Sequence, residues 1–535
     1  MATVETPAAQ QSGSPEGSGE RPVVNPRTGE QLYTIRESTE AECAQAFENA
    51  RAAFETIRRM SVKERLKEVS KLRRYIRDNK EMIVDRVVSE TGKSRMDAML
   101  TEVFSVLDMI FWYERHAEKD LADQIVKTPL LLAGKKARIY FEPIGPVLVI
   151  SPWNYPFTTM MGPVLGAFIA GNPVVVKPSE WTPLQGLVEK IMSESGFFKD
   201  ALQVVYGSGE TGGRLIEQQP AKIHFTGSTR TGKKIMKQAS DHLIPVELEL
   251  GGKDPMLVFD DVDINRTVSG ALWGGFTNSG QTCTAVERIY VQEGIYDDFV
   301  KQLTEKAKKL TNPTTFEGDD DGSMDIGSMT APFQLDIVEK HLADAKEKGA
   351  TLSTDGKRVP GTHTIPPTVV TDVTDDMLIV REETFGPIVT VTRFKDEEDA
   401  IRLANDSQYG LSASVWSTDT ERGTRVARAI QTGNVSINNV LATQGHSGLP
   451  FGGMKESGFG RYKGAHGLHA FSNIKSIIID RQGGKLEANW YPYTKEKYAL
   501  FSKLIDYAFH DSQLKMLWAA VVGLKLESLI KKTKL

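Results

Sequence analysis

The chain has 535 residues, 40% of them apolar and 25% charged, with a formal net charge of −5. That length predicts several domains of an ordinary globular protein. The near balance of charge leaves no electrostatic footprint for nucleic acid, and two cysteines exclude a disulfide framework and point to a reducing, cytoplasmic setting.

Residues 1–21 are rich in Ser, Gly, Pro and Glu, without a basic start or an apolar run, and read as a disordered leader rather than a signal peptide. No apolar run approaches the roughly 18 residues of a membrane span. From Ser38 to Arg59 the spacing puts Cys43, Ala46, Phe47, Ala50, Ala53, Phe54 and Ile57 on one helical stripe. Thr39 and Glu42 form a capping box at its start, so Cys43 reads as packing. Helical sequence continues to about residue 120. A β-hairpin is then expected from PLLLAG (129–134) and KARIYFEP (136–143), turning at Gly134–Lys135. Short apolar runs follow at 146–150, 173–176, 202–205 and 222–225, separated by helical stretches near 157–170, 182–195, 209–218 and 229–239. Such alternation predicts a parallel sheet covered on both faces, with ligands outside the carboxyl ends of its strands. A second α/β region runs from about 251 to 465, with strand-like RIYVQ, PIVTVTRF, LSASVW and NVSINN. A linker near 482–497 leads to a helical tail.

Several stretches carry chemistry. FTGSTRTGKK (225–234) fits a phosphate loop until Lys234, where a magnesium-binding Ser or Thr is needed. An ATPase reading fails there, which leaves a glycine turn or a helix N-terminus near Ser228 able to hold a pyrophosphate. VELELGG (246–252) alternates, so Glu247 and Glu249 share one strand face, either as a solvated pair or with one of them as a general base. Cys283 in NSGQTCTAVE is flanked by small polar residues, and a nucleophilic thiol there needs donors or positive charge to ionise. Asn154 in SPWNYPF could donate to an oxyanion or cap the next helix. Lys177 and Glu180 in VVVKPSEWTP could grip ribose hydroxyls or lie in a surface turn. No zinc motif is present, and EGDDDGSMD (317–325) lacks a calcium loop's spacing, so no metal is expected.

Together, PWNYP, KPSEWTP, FTGSTRTGKKI, ELELGGKDP, NSGQTC, EETFGPI and LPFGGMKESGFGR, in that order, resemble the aldehyde dehydrogenase superfamily from about Pro22 to Ile479. The resemblance implies an α/β fold with a Rossmann-type parallel-sheet domain (22–122 and 145–250), an α/β catalytic domain (251–468) and a small β oligomerisation domain (123–144 and 469–480). It implies a homodimer or homotetramer. It makes Cys283 the nucleophile, selects Glu249 over Glu247 as base, and gives Asn154 with the Cys283 N–H to the oxyanion. The cofactor is NAD, with NADP left open. Lys177, Ser179 and Glu180 fall to the adenosine ribose, and Gly227, Ser228, Gly232 and Leu250 to the pyrophosphate region. Glu383 falls to the nicotinamide ribose, and Phe385 and Trp153 lie near the ring. The implied reaction is NAD(P)-dependent oxidation of an aldehyde through a thiohemiacetal and a thioester.

Residues 481–535 exceed the family core. In this tail Leu514, Leu517, Val521 and Leu524 form a stripe with Lys515, Lys525, Lys531, Lys532 and Lys534 mostly elsewhere. A helix of this kind lies on a membrane surface, covers the substrate entrance, or docks on protein. Trp153, Tyr155, Trp273 and Phe276 are either an apolar entrance suited to medium- or long-chain aliphatic or aromatic aldehydes, or core. Succinate semialdehyde is the alternative; it needs a cation that the sequence does not identify, while His446 in GHSGLP either meets an acid group or caps a turn. A CoA-acylating enzyme, which would use the same cysteine, is disfavoured by Glu249, and a non-catalytic binding protein by the intact Cys283, Glu249 and Asn154.

Overall fold

A computed structural model describes residues 20–129, 132, 134–480 and 486–532, with the side chains of 531 and 532 left out. The expected leader lies outside the described residues up to position 19. Glu20 and Arg21, assigned to it, instead open strand β1 (Glu20–Val24), which pairs antiparallel with β2 (Gln31–Arg36). The chain forms two compact units, one comprising Met1–Leu121 with Glu142–Asn473, the other Ala122–Phe141 with Ile474–Leu535.

In the second unit β3 (Gln124–Val126) pairs antiparallel with β4 (Lys136–Pro143). The expected first hairpin strand, PLLLAG, is therefore displaced. Pro129 has no N–H to give a ladder, and Leu132 sits in the turn, its amide donating to the Pro129 carbonyl at 2.9 Å. Leu130, Leu131 and Ala133 lie outside the described residues.

The first unit is built on two sheets. One contains β5 (Val147–Ile150), β6 (Val174–Lys177), β7 (Leu202–Val204), β8 (Lys222–Thr226) and β9 (Val246–Glu249), in the order β9-β8-β5-β6-β7 and all parallel. The other contains β10 (Asp254–Val258), β11 (Val286–Gln292), β12 (Thr351–Leu352), β13 (Thr368–Thr371), β14 (Ile388–Phe394), β15 (Ser412–Trp416) and β16 (Asn434–Ile437), parallel except for edge strand β12. β17 (Gly458–Phe459) crosses back to pair antiparallel with β9. β18 (Ser472–Ile479) runs into the second unit, where it borders β4.

The parallel strands have short Val, Ile and Leu runs because both faces are covered. Helix Glu40–Ile57 has the expected capping box and buries Cys43, Phe47 and Ala50 among Leu148, Val175 and Ile223. In the seven-stranded sheet Met256, Ile289 and Val391 face one core with Phe276 and Phe299, while Leu257, Tyr290 and Val415 face another with Phe394 and Val426. Register brings Ile150 level with both Lys177 and Phe225, and Thr226 level with Glu249. The carboxyl ends of β5, β6, β8 and β9 thus form one edge, and every expected cofactor motif in that half of the chain follows from it.

In the tail, helices Lys495–Ala508 and Gln513–Lys532 pack on each other. The buried stripe is Ala519, Val522, Leu526 and Ile530, whereas Leu514, Leu517, Val521 and Leu524 face outward. The stripe that is buried is therefore not the one with the largest side chains.

Gly171 ends helix Thr158–Ala170 at φ +103°, and a Cβ there would overlap the Arg65 guanidinium and lie 2.5 Å from Pro143 Cγ. Gly171→Ala is expected to cost about 1–3 kcal/mol through strain and overpacking, read as a lower thermal midpoint.

Candidate active site

Cys283 is presented by a backbone that few sequences accept. Asn278, Ser279 and Gly280 take φ values of 52°, 56° and 69° in succession. Left-handed non-glycine residues cost energy and persist only where surroundings over-determine them. Here Asp97 accepts from Thr277 Oγ1 at 2.8 Å and from the Asn278 amide at 2.9 Å. Ser279 Oγ donates to the Gly327 carbonyl at 2.8 Å, and Gln281 Oε1 accepts from the Thr330 amide at 2.9 Å. A Cβ on Gly280 would overlap the Gly386 carbonyl, so only glycine fits.

Asn154 joins this network rather than capping a helix. Its Nδ2 donates to the Gln281 carbonyl at 2.9 Å, leaving its second N–H uncommitted, and its own carbonyl accepts from Asn278 Nδ2 at 3.1 Å and Lys93 Nζ at 2.8 Å. Helix Thr158–Ala170 is capped instead by Glu102, which accepts from the Phe157 and Thr158 amides at 3.1 and 2.7 Å and pairs with Lys93 at 2.8 Å. Both side chains of that ion pair are fully buried. Glu102 lies in a π-helical segment, Ala98–Phe104, a wide turn that often marks a functional site.

The two strand carboxylates part company. Glu247 lies 2.8 Å from Lys222 and 4.0 Å from His224. Burial would raise its carboxyl, but His224 and Lys222 outweigh that and bring it down to about 2. Glu249, 3% exposed, has a hydrogen-bond donor on neither oxygen. Burial, then the charge of Glu247, pushes its carboxyl well above the ordinary range, against the weaker pull of Arg461 and Lys463. Beyond Glu249 the chain passes Gly251 and Gly252, and a Cβ on Gly252 would overlap the Cys283 carbonyl oxygen. Thiol and unpaired carboxylate thus belong to adjoining turns. Burial, followed by Asp254, Glu383 and Glu249, pushes the Cys283 thiol up, and Lys463 opposes them.

The expected cofactor residues gather on the same edge. Lys177 is buried, donating to the Pro178 and Gly207 carbonyls at 3.0 and 2.7 Å, with Glu180 at 3.8 Å. Ser179 is buried and accepts from the Trp181 amide at 3.3 Å. Ser228 caps helix Thr229–Ser240, and the Gly227 amide donates to the Glu249 carbonyl at 3.0 Å. A Cβ on Gly227 would lie 2.5 Å from the Phe225 ring, and one on Gly232 would lie 2.7 Å from Leu250. Glu383 accepts from the Gly252 amide at 3.1 Å, with its carboxyl raised to about 8 by burial and Glu287. Its carboxylate fills the space a Cβ on Gly251 would occupy. Phe385, at φ 52°, meets the Trp153 ring edge-on at 5.4 Å. Glu287 fixes that turn by accepting from the Thr384 and Phe385 amides, both at 2.9 Å, and is itself paired with Lys253.

Of the aromatic residues considered for an entrance, Tyr155 and Phe276 are core, Trp153 is half-buried and Trp273 is exposed. His446 caps a turn, its Nδ1 accepting from the Gly448 amide at 3.1 Å. Three residues with no sequence signal matter here. Lys93 and Glu102 show no motif, and Lys463 stands beside the quoted LPFGGMKESGFGR. Lys463 is buried, donates to the Gln444 carbonyl at 2.6 Å and is lowered to about 8 by burial, while Gln444 accepts from Thr284, next to the thiol. Among the described residues no group of acids, histidines and cysteines could hold a metal.

A cysteine and an unpaired carboxylate beside a parallel-sheet edge define a thiol-centred α/β enzyme. The aldehyde dehydrogenase family model matches residues 14–477. A 4,4′-diapolycopene aldehyde oxidase of Methylomonas sp is 41% identical over 493 residues, 92% of each chain. The mitochondrial succinate-semialdehyde dehydrogenase of Oryza sativa subsp. japonica is 36% identical, covering 85% of this chain and 86% of that protein. A crystal structure of Staphylococcus aureus betaine aldehyde dehydrogenase in complex with NAD+ superposes with a TM-score of 0.81 at 33% identity, covering 89% of this chain and 94% of that one. The chain belongs to the aldehyde dehydrogenase family, and its reaction class is NAD(P)-dependent aldehyde oxidation.

Two outcomes test this geometry. Glu102→Ala leaves the Lys93 ammonium buried and alone, and is expected to cost about 3–5 kcal/mol in urea unfolding, with Glu102→Gln recovering part because it still accepts from the helix amides. Lys463→Met removes the cation opposing the carboxylates around Cys283. Iodoacetamide labelling of Cys283 should therefore slow at neutral pH, its rise with pH moving upward.

Proposed function

We propose that this chain oxidises long-chain apolar aldehydes to carboxylic acids, with Cys283 as nucleophile, Glu249 as base and Asn154 at the oxyanion. The observation that carries the reading is Glu249: a buried carboxylate with no donor on either oxygen, one glycine turn from the thiol. Glu247, by contrast, is ion-paired with Lys222 at 2.8 Å, and Glu287 and Glu102 accept from main-chain amides.

The coenzyme fits the edge described. Lys177 and Glu180 would hold the adenosine ribose with Ser179 beside them. Ser228 and the first amides of helix Thr229–Ser240 would hold the pyrophosphate, where Gly227 and Gly232 leave no side chain in the way. Leu250 backs Gly232. Glu383 would take ribose hydroxyls near the nicotinamide, supplying its partly unsatisfied carboxylate with donors, and Phe385 and Trp153 would flank the ring. A carboxylate at Glu180 accepts from a 2′-hydroxyl and repels a 2′-phosphate, which supports NAD; Lys177 at 3.8 Å and Arg21 at 3.9 Å soften that repulsion and leave NADP usable.

Chemistry then follows from the residues. Glu249 takes the thiol proton and passes it to solvent, and the sulfur adds to the carbonyl carbon. The free N–H of Asn154 and the Cys283 amide donate to the oxygen as it becomes an anion, each such donor contributing about 3 kcal/mol when aligned. The bound nicotinamide supplies a hydride acceptor. The thiohemiacetal carbon gives up hydride and becomes a thioester on Cys283. Glu249 next removes a proton from water, whose oxygen attacks the acyl carbon; the thiolate leaves, and the acid is released.

An apolar substrate is supported by the rim. The loop from Gln444, beside Thr284, runs to Gly448, where a Cβ would lie 2.6 Å from Trp112, and Ser447 donates to Asp108 at 2.5 Å. Phe104, Phe111 and Leu449 on these two elements are exposed. Succinate semialdehyde is the second reading, favoured by the one buried cation next to the thiol, Lys463. For assembly we read a homodimer or homotetramer, supported by the exposed Ile125, Ile474 and Ile478 on the three-stranded sheet.

Coenzyme reduction over saturated aldehydes of increasing length, a polyene aldehyde and succinate semialdehyde tests the substrate. For the saturated series kcat/KM should climb by up to about fourfold per CH2, the equivalent of about 0.8 kcal/mol of burial. A preference for succinate semialdehyde lost in Lys463→Met would establish the second reading. Cys283→Ala should be inactive, and Glu249→Gln should acylate slowly and hold whatever acyl group forms on Cys283 as a thioester visible by mass spectrometry. Because the Glu249 carboxyl is raised, its base form grows with pH, so turnover should rise toward alkaline pH in the unmodified enzyme and lose that limb in Glu249→Gln.

A further inference from the structure

The helix Gln513–Lys532 offers solvent a face that a water-soluble helix would normally hide. Leu514, Leu517, Trp518, Val521 and Leu524 fall within about 120° of the helix circumference and are 76%, 69%, 57%, 38% and 66% exposed. The opposite stripe already packs on helix Lys495–Ala508. The packing partner adds Ile505 and Phe509, both exposed. Contiguous apolar surface on this scale marks an interaction site.

Its surroundings specify the partner. Helix Gln513–Lys532 carries four lysines, Lys515, Lys525, Lys531 and Lys532, against one acid, Glu527, in a chain whose net charge is −5. Exposed aromatic side chains at Trp490, Tyr491, Tyr493 and Tyr498 lie in the same unit. Apolar face, lysines and Trp or Tyr together match the boundary between acyl chains and anionic headgroups. A second copy is the poorer occupant, because docking this face on itself would bring the lysines of two such helices together. Among the described residues no helix is long and apolar enough to cross a membrane, so the contact lies along the surface.

We propose that this face binds an anionic lipid surface, seating Leu517, Trp518, Val521 and Leu524 among acyl chains while Lys515 and Lys525 meet headgroup phosphates. The inference stands on the tail alone and is independent of the active-site reading. Its test is flotation of the full-length protein with vesicles of phosphatidylcholine mixed with phosphatidylglycerol, and of phosphatidylcholine alone. The protein should float with the mixed vesicles, and less so as salt is raised. The triple variant Leu517→Ser, Trp518→Ser, Val521→Ser should bind at least about tenfold more weakly. Lys515→Glu with Lys525→Glu should abolish the preference for the anionic lipid. Thermal midpoint, and labelling of Cys283, unchanged in both variants would show an intact fold. The proposal is overturned if the full-length protein stays in the dense fraction with both vesicles, or if the triple variant floats as well as the parent. It is equally overturned if the triple variant sediments as a smaller assembly, which would make a second copy the occupant.

Discussion

Everything about this site depends on a short stretch of backbone held in a shape it would not choose. Three consecutive left-handed residues, Asn278 to Gly280, turn the chain so that Cys283 faces the ends of the parallel strands. Asn278 and Gln281 bond each other across the turn, and Asp97, Asn154 and Thr330 hold it from outside, all through buried hydrogen bonds. Buried networks of this kind are rigid when complete and costly when broken. The loop that carries the thiol therefore has little freedom to relax, which is what a nucleophile needs if its sulfur is to stay aligned with a carbonyl.

Rigidity has an electrostatic counterpart. Burial, and then the carboxyl groups around it, push the thiol up. Lys463 opposes them, while the partner of Glu247 spares Glu249 from sharing its cation. Two glutamates separated by one residue thus come to be shifted in opposite directions, Glu247 down by His224 and Lys222, Glu249 up by burial and the charge of Glu247. A carboxyl raised from its ordinary range toward the working pH is a better base than one pinned low in an ion pair.

Much of this was legible from the residues. The alternation of VELELGG placed both glutamates on one face, and the Val- and Ile-rich runs marked the buried parallel strands because such strands have no polar side to show. The cysteine, asparagine and glutamate came with motifs, and the motifs supplied the order along the chain. What could not be read was long-range support. Lys93 and Glu102 are ordinary helical-region residues by sequence, and only the fold brings them behind Asn154. Lys463 lies just past the last recognisable motif and carried no signal of its own. The first strand of the small sheet was misplaced onto PLLLAG because apolar composition was weighed above the missing amide of Pro129. In the tail, the stripe of Leu514, Leu517, Val521 and Leu524 could be read from spacing, but not that the face buried would be Ala519, Val522, Leu526 and Ile530.

The contact between Gly280 and Gly386 has a further implication. Each glycine belongs to a different half of the chemistry, one to the thiol loop and the other to the turn bearing Glu383 and Phe385, and they touch through bare main chain. A joint without side chains has no rotamers to absorb displacement. The two halves must then shift as a single body or not at all, so with the nicotinamide held at Phe385, as proposed, its distance from the sulfur would be set by peptide geometry and stay indifferent to which aldehyde the outer loops admit.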